Sequence, residues 1–113
     1  LLNTLPPSEQ QCLIMGTLLM ENEETMINTL LQNNHHTQTI LIYGKHNCDS
    51  KPDEKYIQLT NLGFTHVYVY HGGLFEWLLL QDIYGSDFQT TDKVRDILQY
   101  RPKPLLKTPR LTF

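Results

Sequence analysis

Apolar and polar positions fall into blocks along the chain, and the period of the pattern changes from block to block. Thr39-Ile40-Leu41-Ile42-Tyr43 is almost continuously apolar and stops at Gly44. Such a run suits a strand buried on both faces, as in a parallel sheet. His66-Val67-Tyr68-Val69-Tyr70 is a second run of this kind, ending before Gly72-Gly73. Thr17-Leu18-Leu19-Met20 predicts a shorter third strand, and Leu1-Leu2 the stub of a fourth. Between these runs the spacing becomes helical. Residues 22–32 place Met26, Ile27, Leu30 and Leu31 on one stripe, with Glu23 and Glu24 in the first turn, where the helix dipole favours anions. A second helix is predicted from Pro52, a residue suited to a first turn, with Tyr56, Leu59 and Leu62 facing inward and Gly63 as its stop. Leu74 to Gln81 reads as a short helix apolar on nearly every side. Asp92 to Tyr100 reads as a last helix that buries Val94, Ile97 and Leu98. Strands alternating with helices at this spacing predict βαβ units, hence an α/β sandwich of three layers with a parallel sheet between helices on both faces.

A chain of 113 residues is expected to be one domain or a fragment of one, predicted here as residues 1–100, with residues 101–113 as an extended tail rich in prolines and bases. An apolar fraction of 40% with 10% aromatics is enough for one core and lies outside the disorder regime. No apolar run approaches the ~20 residues of a membrane span. Two cysteines, Cys12 and Cys48, do not make a disulfide scaffold. This argues for an intracellular, reducing compartment, cytoplasm or organelle matrix. The chain opens on Leu-Leu-Asn rather than Met, so upstream sequence, and any targeting signal in it, is expected to be missing. The charge is lopsided: residues 1–90 carry 3 bases against 10 acids, and residues 91–113 carry 6 against 2. A body that acidic is not expected to bind nucleic acid.

In α/β sheets ligands bind beyond the carboxyl ends of the strands. This directs attention to the segment Gly44-Lys45-His46-Asn47-Cys48-Asp49-Ser50-Lys51. Cys48 precedes a helix N-terminus, whose free N–H groups and dipole lower a thiol's pKa from about 8.5. Lys45, His46 and Lys51 surround it, almost the only positive side chains of the first 90 residues. Asp49, next door, acts in the opposite sense. Cys12, within Gln11-Cys12-Leu13-Ile14, reads as a small buried hydrophobe. His35 and His36 point apart and have no third ligand near in sequence, so no metal site is expected. Phe75 and Trp77 read as core, Gly72-Gly73 as a strand-to-helix turn, and His71 as a residue facing the same pocket as Cys48.

From Leu1 to Ile83 these residues resemble the rhodanese family of single-domain sulfurtransferases. The resemblance rests on the strand, loop and helix from Ile40 to Leu62, on Gly63-Phe64-Thr65-His66-Val67-Tyr68, and on Gly72-Gly73-Leu74-Phe75-Glu76-Trp77. Asn3 stands where the family often has an Asp, and Ile14-Met15-Gly16-Thr17 is similar to its Gly-His-Ile-Pro-Gly-Ala region. On this alignment the family's N-terminal strand is missing.

The resemblance implies a cysteine that takes sulfane sulfur from an anionic donor such as thiosulfate, holds it as a persulfide and passes it to a thiophilic acceptor, without metal or organic cofactor. Cys48 would be the catalytic residue, with Lys45, His46, Asn47, Ser50, Lys51 and His71 holding the donor. The family's loop usually begins with the cysteine and ends near an Arg. Here Gly44 has the first position, Cys48 comes four residues later, and no Arg precedes Arg95. The resemblance therefore implies two functions: a sulfurtransferase with a re-registered loop, or a non-catalytic scaffold or subunit of a larger assembly. A phosphatase-like variant of the fold lacks the Arg needed to clamp phosphate. The tail, with Leu105, Leu106, Leu111 and Phe113 among its bases, is expected to contact a protein partner.

Overall fold

The computed structural model describes residues 1–92 and 97–102. Strands β1 (Leu2–Asn3), β2 (Ile40–Tyr43) and β3 (Val67–Tyr70) form one parallel sheet in the order β1-β2-β3. Leu2 is paired with Ile42, Ile40 with Val67, and Tyr43 with Tyr70. Three helices accompany the sheet: α1 (Met20–Gln32), α2 (Lys51–Asn61) and α3 (Gly73–Tyr84).

The pleat of β2 sorts the core into two halves, because successive side chains point to opposite faces. Ile40 and Ile42 join Leu2, Leu59, Phe64 and Val67 in a cluster against which Met26, Ile27, Leu30 and Leu31 of α1 pack. Tyr43 turns to the other face and joins Leu5, Cys12, Leu13, Ile14, Leu74, Leu78 and Tyr100. Helices therefore cover both faces, α1 and α2 on one and α3 on the other, as the alternation of strands and helices predicts. Leu74 and Leu78 are fully buried, and each stabilises the fold by about 1.5–3 kcal/mol. The buried Tyr43 hydroxyl is satisfied: it accepts from the Ile14 N–H at 3.2 Å and lies 2.7 Å from Thr17 Oγ1. Burial, opposed by these hydrogen bonds, pushes its pKa up.

Four expectations need correction or qualification. Thr17–Met20 is not a strand. Gly16 at φ +92° and a turn closed by Thr17 N–H to the Ile14 carbonyl (3.1 Å) bend the chain there. One bond, Leu18 N–H to the Leu1 carbonyl at 2.8 Å, keeps the segment beside β1, and Met20 already belongs to α1. On α2 it is Pro52 and Leu59 that are buried, while Tyr56 and Leu62 are 40% and 42% exposed. Helix α3 runs on to Tyr84, where Gly85 at φ +70° ends it, and leaves Ile83 70% exposed. Of the last predicted helix, residues 93–96, Val94 among them, lie outside the described residues. Ile97–Tyr100 form a 3₁₀ turn in which Tyr100 is buried and Leu98 exposed. Most of the tail, residues 103–113, also lies outside the described residues. Among the described residues no helix is long and apolar enough to cross a membrane.

Candidate functional site

Strand β2 ends at Tyr43, and the loop from Gly44 to Ser50 carries the chain into α2. Two backbone hydrogen bonds fasten the loop to α3. Leu74 N–H donates to the Gly44 carbonyl and Phe75 N–H to the Lys45 carbonyl, both at 2.9 Å. These are first-turn donors of a helix, which otherwise lack partners. Gly73, at φ +66°, makes the approach possible: a Cβ there would stand 2.7 Å from the Gly44 oxygen and 3.0 Å from the His46 nitrogen. The turn glycine of the sequence reading is thus the contact surface for the candidate loop.

Two N–H groups, one at each end of the loop, converge on a carboxylate. Asp49 Oδ2 accepts from Lys45 N–H at 3.1 Å, and Asp49 Oδ1 from Lys51 N–H at 3.0 Å. The second bond satisfies the first residue of α2, a task Ser50 leaves undone: its side chain makes no cap bond. The same carboxylate fills the space over Gly44. A Cβ built there would meet Asp49 Oδ2 at 2.5 Å and Pro52 Cγ at 2.6 Å.

Cys48 lies outside this arrangement. It is exposed, and its thiol donates to Asn47 Oδ1 at 3.5 Å. The Cys48 N–H donates to His46 Nδ1 at 3.1 Å, so a neutral His46 carries its proton on Nε2. Both candidate lysines face acids. Lys45 Nζ is 3.0 Å from Glu9 Oε1 with both side chains about a third exposed, and Lys51 Nζ is 3.6 Å from Glu54 Oε2 on the surface. His71 is exposed in the turn after β3, and among the described residues no hydrogen bond joins it to the loop. Lys45, His46, Asn47, Cys48 and Ser50 thus share one loop and Lys51 opens the helix that follows it, with Cys48 at the loop's outside and Asp49 at its centre. Sequence reasoning weighed Asp49 only as a neighbouring charge and did not single out Glu9. An Asp two residues before a helix's first N–H was the signal available for the former.

Beside the loop, Tyr70 packs edge-on against Trp77 at 6.4 Å. Burial, then the Glu76 carboxylate and a hydrogen bond to it, push the Tyr70 hydroxyl up to about 12. Cys12 is buried, its sulfur 3.2 Å from the Asp92 carbonyl, and burial raises its pKa. Among the described residues no group of three His, Cys, Asp or Glu side chains is placed to hold a metal ion.

A family model described as the rhodanese-like domain matches residues 9–80, more than half of the chain. The chain belongs to the rhodanese-like family. No curated protein and no solved structure matches it. The match takes in β2, α2 and β3, the candidate loop, and α3 as far as Leu80. Gly44, at the position where the resemblance puts the family's cysteine, is therefore a feature of a rhodanese-like loop, and the Asp49 carboxylate lies against it.

Proposed function

We propose that this rhodanese-like domain works as a non-catalytic binding module, a scaffold or subunit that engages a protein partner. One observation carries the reading: the Asp49 carboxylate takes the N–H groups of Lys45 and Lys51, at the two ends of the loop, and fills the space above Gly44 that a thiol, its persulfide and an anionic donor would use. A second anion brought there meets a fixed negative charge, and repulsion within ~4 Å in a partly buried site costs several kcal/mol. The ion pairs of Lys45 and Lys51 with Glu9 and Glu54 support the same reading, since they lessen the positive field available to a donor. On this reading residues 101–113 reach the partner, with leucines and Phe113 as apolar anchors.

The exposure of Cys48 favours a second reading, sulfur transfer. Its thiolate would attack the outer sulfur of thiosulfate, forming an S–S bond as sulfite leaves with the electron pair of the broken bond. The terminal sulfur would then pass to a thiophile such as cyanide, returning the thiolate. Thiosulfate-to-cyanide transfer by the full chain tests both readings. Formation of thiocyanate no faster than in buffer supports the module. Turnover that disappears in Cys48→Ser would establish the enzyme instead.

A further inference from the structure

Helices α1 and α2 lie on the same face of the sheet but meet poorly. No residue of α1 is fully buried, and two clefts of about 430 and 370 Å³ lie along the pair. Both clefts are lined by Met20, Glu23, Lys55 and Gln58, so they form one groove. Its floor is the buried Leu59, and Ile27 and Leu62 add an apolar wall. The Glu23–Lys55 ion pair crosses it, and Lys51 at its rim pairs with Glu54. The groove is lined by Glu23, Glu24 and Glu54 against Lys51 and Lys55. With both lysines paired inside the chain, the groove keeps an acidic surplus over an apolar floor.

The chain itself contains a segment of the opposite character. Residues 103–113 hold Lys103, Lys107 and Arg110 with no acid, and Leu105, Leu106, Leu111 and Phe113 as apolar side chains. Resting on the binding-module reading, we propose that this groove receives residues 103–113 of a second copy. Reach counts against the chain's own segment. Tyr100 belongs to the α3-side cluster, whereas the groove lies on the opposite face of the sheet. Crossing two packed layers takes roughly 20 Å. Eleven residues span at most ~40 Å, so only about half would remain to lie in the groove. A second copy offers the whole segment, and mutual exchange closes as a two-fold dimer. Proline pre-sets the extended shape, which lowers the ordering cost.

The test uses the full chain in sedimentation velocity over a hundredfold range of concentration. The expected result is a monomer shifting to a dimer, weakened by salt. Glu24→Lys with Leu62→Lys in the groove should weaken association by roughly tenfold or more, and so should Lys107→Glu with Arg110→Glu in the segment. Mixing the two variants should restore heterodimer, because one intact groove then meets one intact segment. If the groove variant does not fold, as judged by circular dichroism, the segment variant alone still decides. A monomer at every concentration, or a dimer indifferent to the segment variant, overturns the proposal. A dimer that also transfers sulfur overturns the binding-module reading and leaves this one standing.

Discussion

The Asp49 carboxylate accepts from two backbone N–H groups, and its position limits what Gly44 can become. Gly44 lacks a positive φ, so a larger side chain there meets an obstacle of space rather than of backbone. Cysteine at 44 would drive its Cβ into Asp49 Oδ2 and the Pro52 ring, and overpacking of this kind costs about 1–3 kcal/mol. Asp49→Gly removes one obstacle and both carboxylate bonds, at about 1–3 kcal/mol. The two changes should therefore not add: Gly44→Cys should cost less in the Asp49→Gly background, by roughly 1 kcal/mol or more. Urea unfolding of the four proteins of the cycle measures this. Additive losses would mean that the carboxylate does not stand over Gly44.

At the scale of elements, the loop is held from α3 as well as by its own Asp49. Gly73→Ala would place a methyl 2.7 Å from the Gly44 oxygen while holding a non-glycine residue at φ +66°. We expect a loss of about 2 kcal/mol or more, with weakened amide-exchange protection at Leu74 and Phe75, whose N–H groups bind the loop carbonyls. Unchanged protection at those two amides would refute the coupling. The fold itself was legible in the sequence: the apolar runs ending at Tyr43 and Tyr70 are the paired strands, and the stripe of Met26, Ile27, Leu30 and Leu31 is the inner face of α1. Thr17–Met20 misled because a glycine turn and the start of α1 claim residues whose apolar run looks like a strand. The candidate site was legible as a loop but not as an arrangement. Charge and spacing point to Cys48, whereas the direction of backbone N–H groups, which singles out Asp49, exists only once the chain has turned.

Over the whole molecule, the six tyrosines divide by environment. Tyr43, Tyr70 and Tyr100 are held up in pKa, each chiefly by burial, while Tyr56, Tyr68 and Tyr84 are exposed. For Tyr70 the Glu76 carboxylate adds to the shift, and for Tyr100 the neighbouring Cys12 and Glu9 do. Below the free tyrosine pKa of about 10 both the folded and unfolded chains keep these phenols neutral, and the stabilising difference is fully present. Between that value and the folded one, about 12 for Tyr70, the unfolded chain loses protons that the folded chain retains. Stability therefore falls as pH rises through this window, through Tyr43, Tyr70 and Tyr100. The tyrosinate absorbance contributed by Tyr43, Tyr70 and Tyr100 should rise late, coinciding with unfolding. Tyr70→Phe should flatten the alkaline fall in urea-derived stability, since it removes a phenol pushed up to about 12 and leaves the Trp77 contact in place. Titration of Tyr43 and Tyr100 near pH 10, with no accompanying loss of stability, would contradict their packing into the α3-side core.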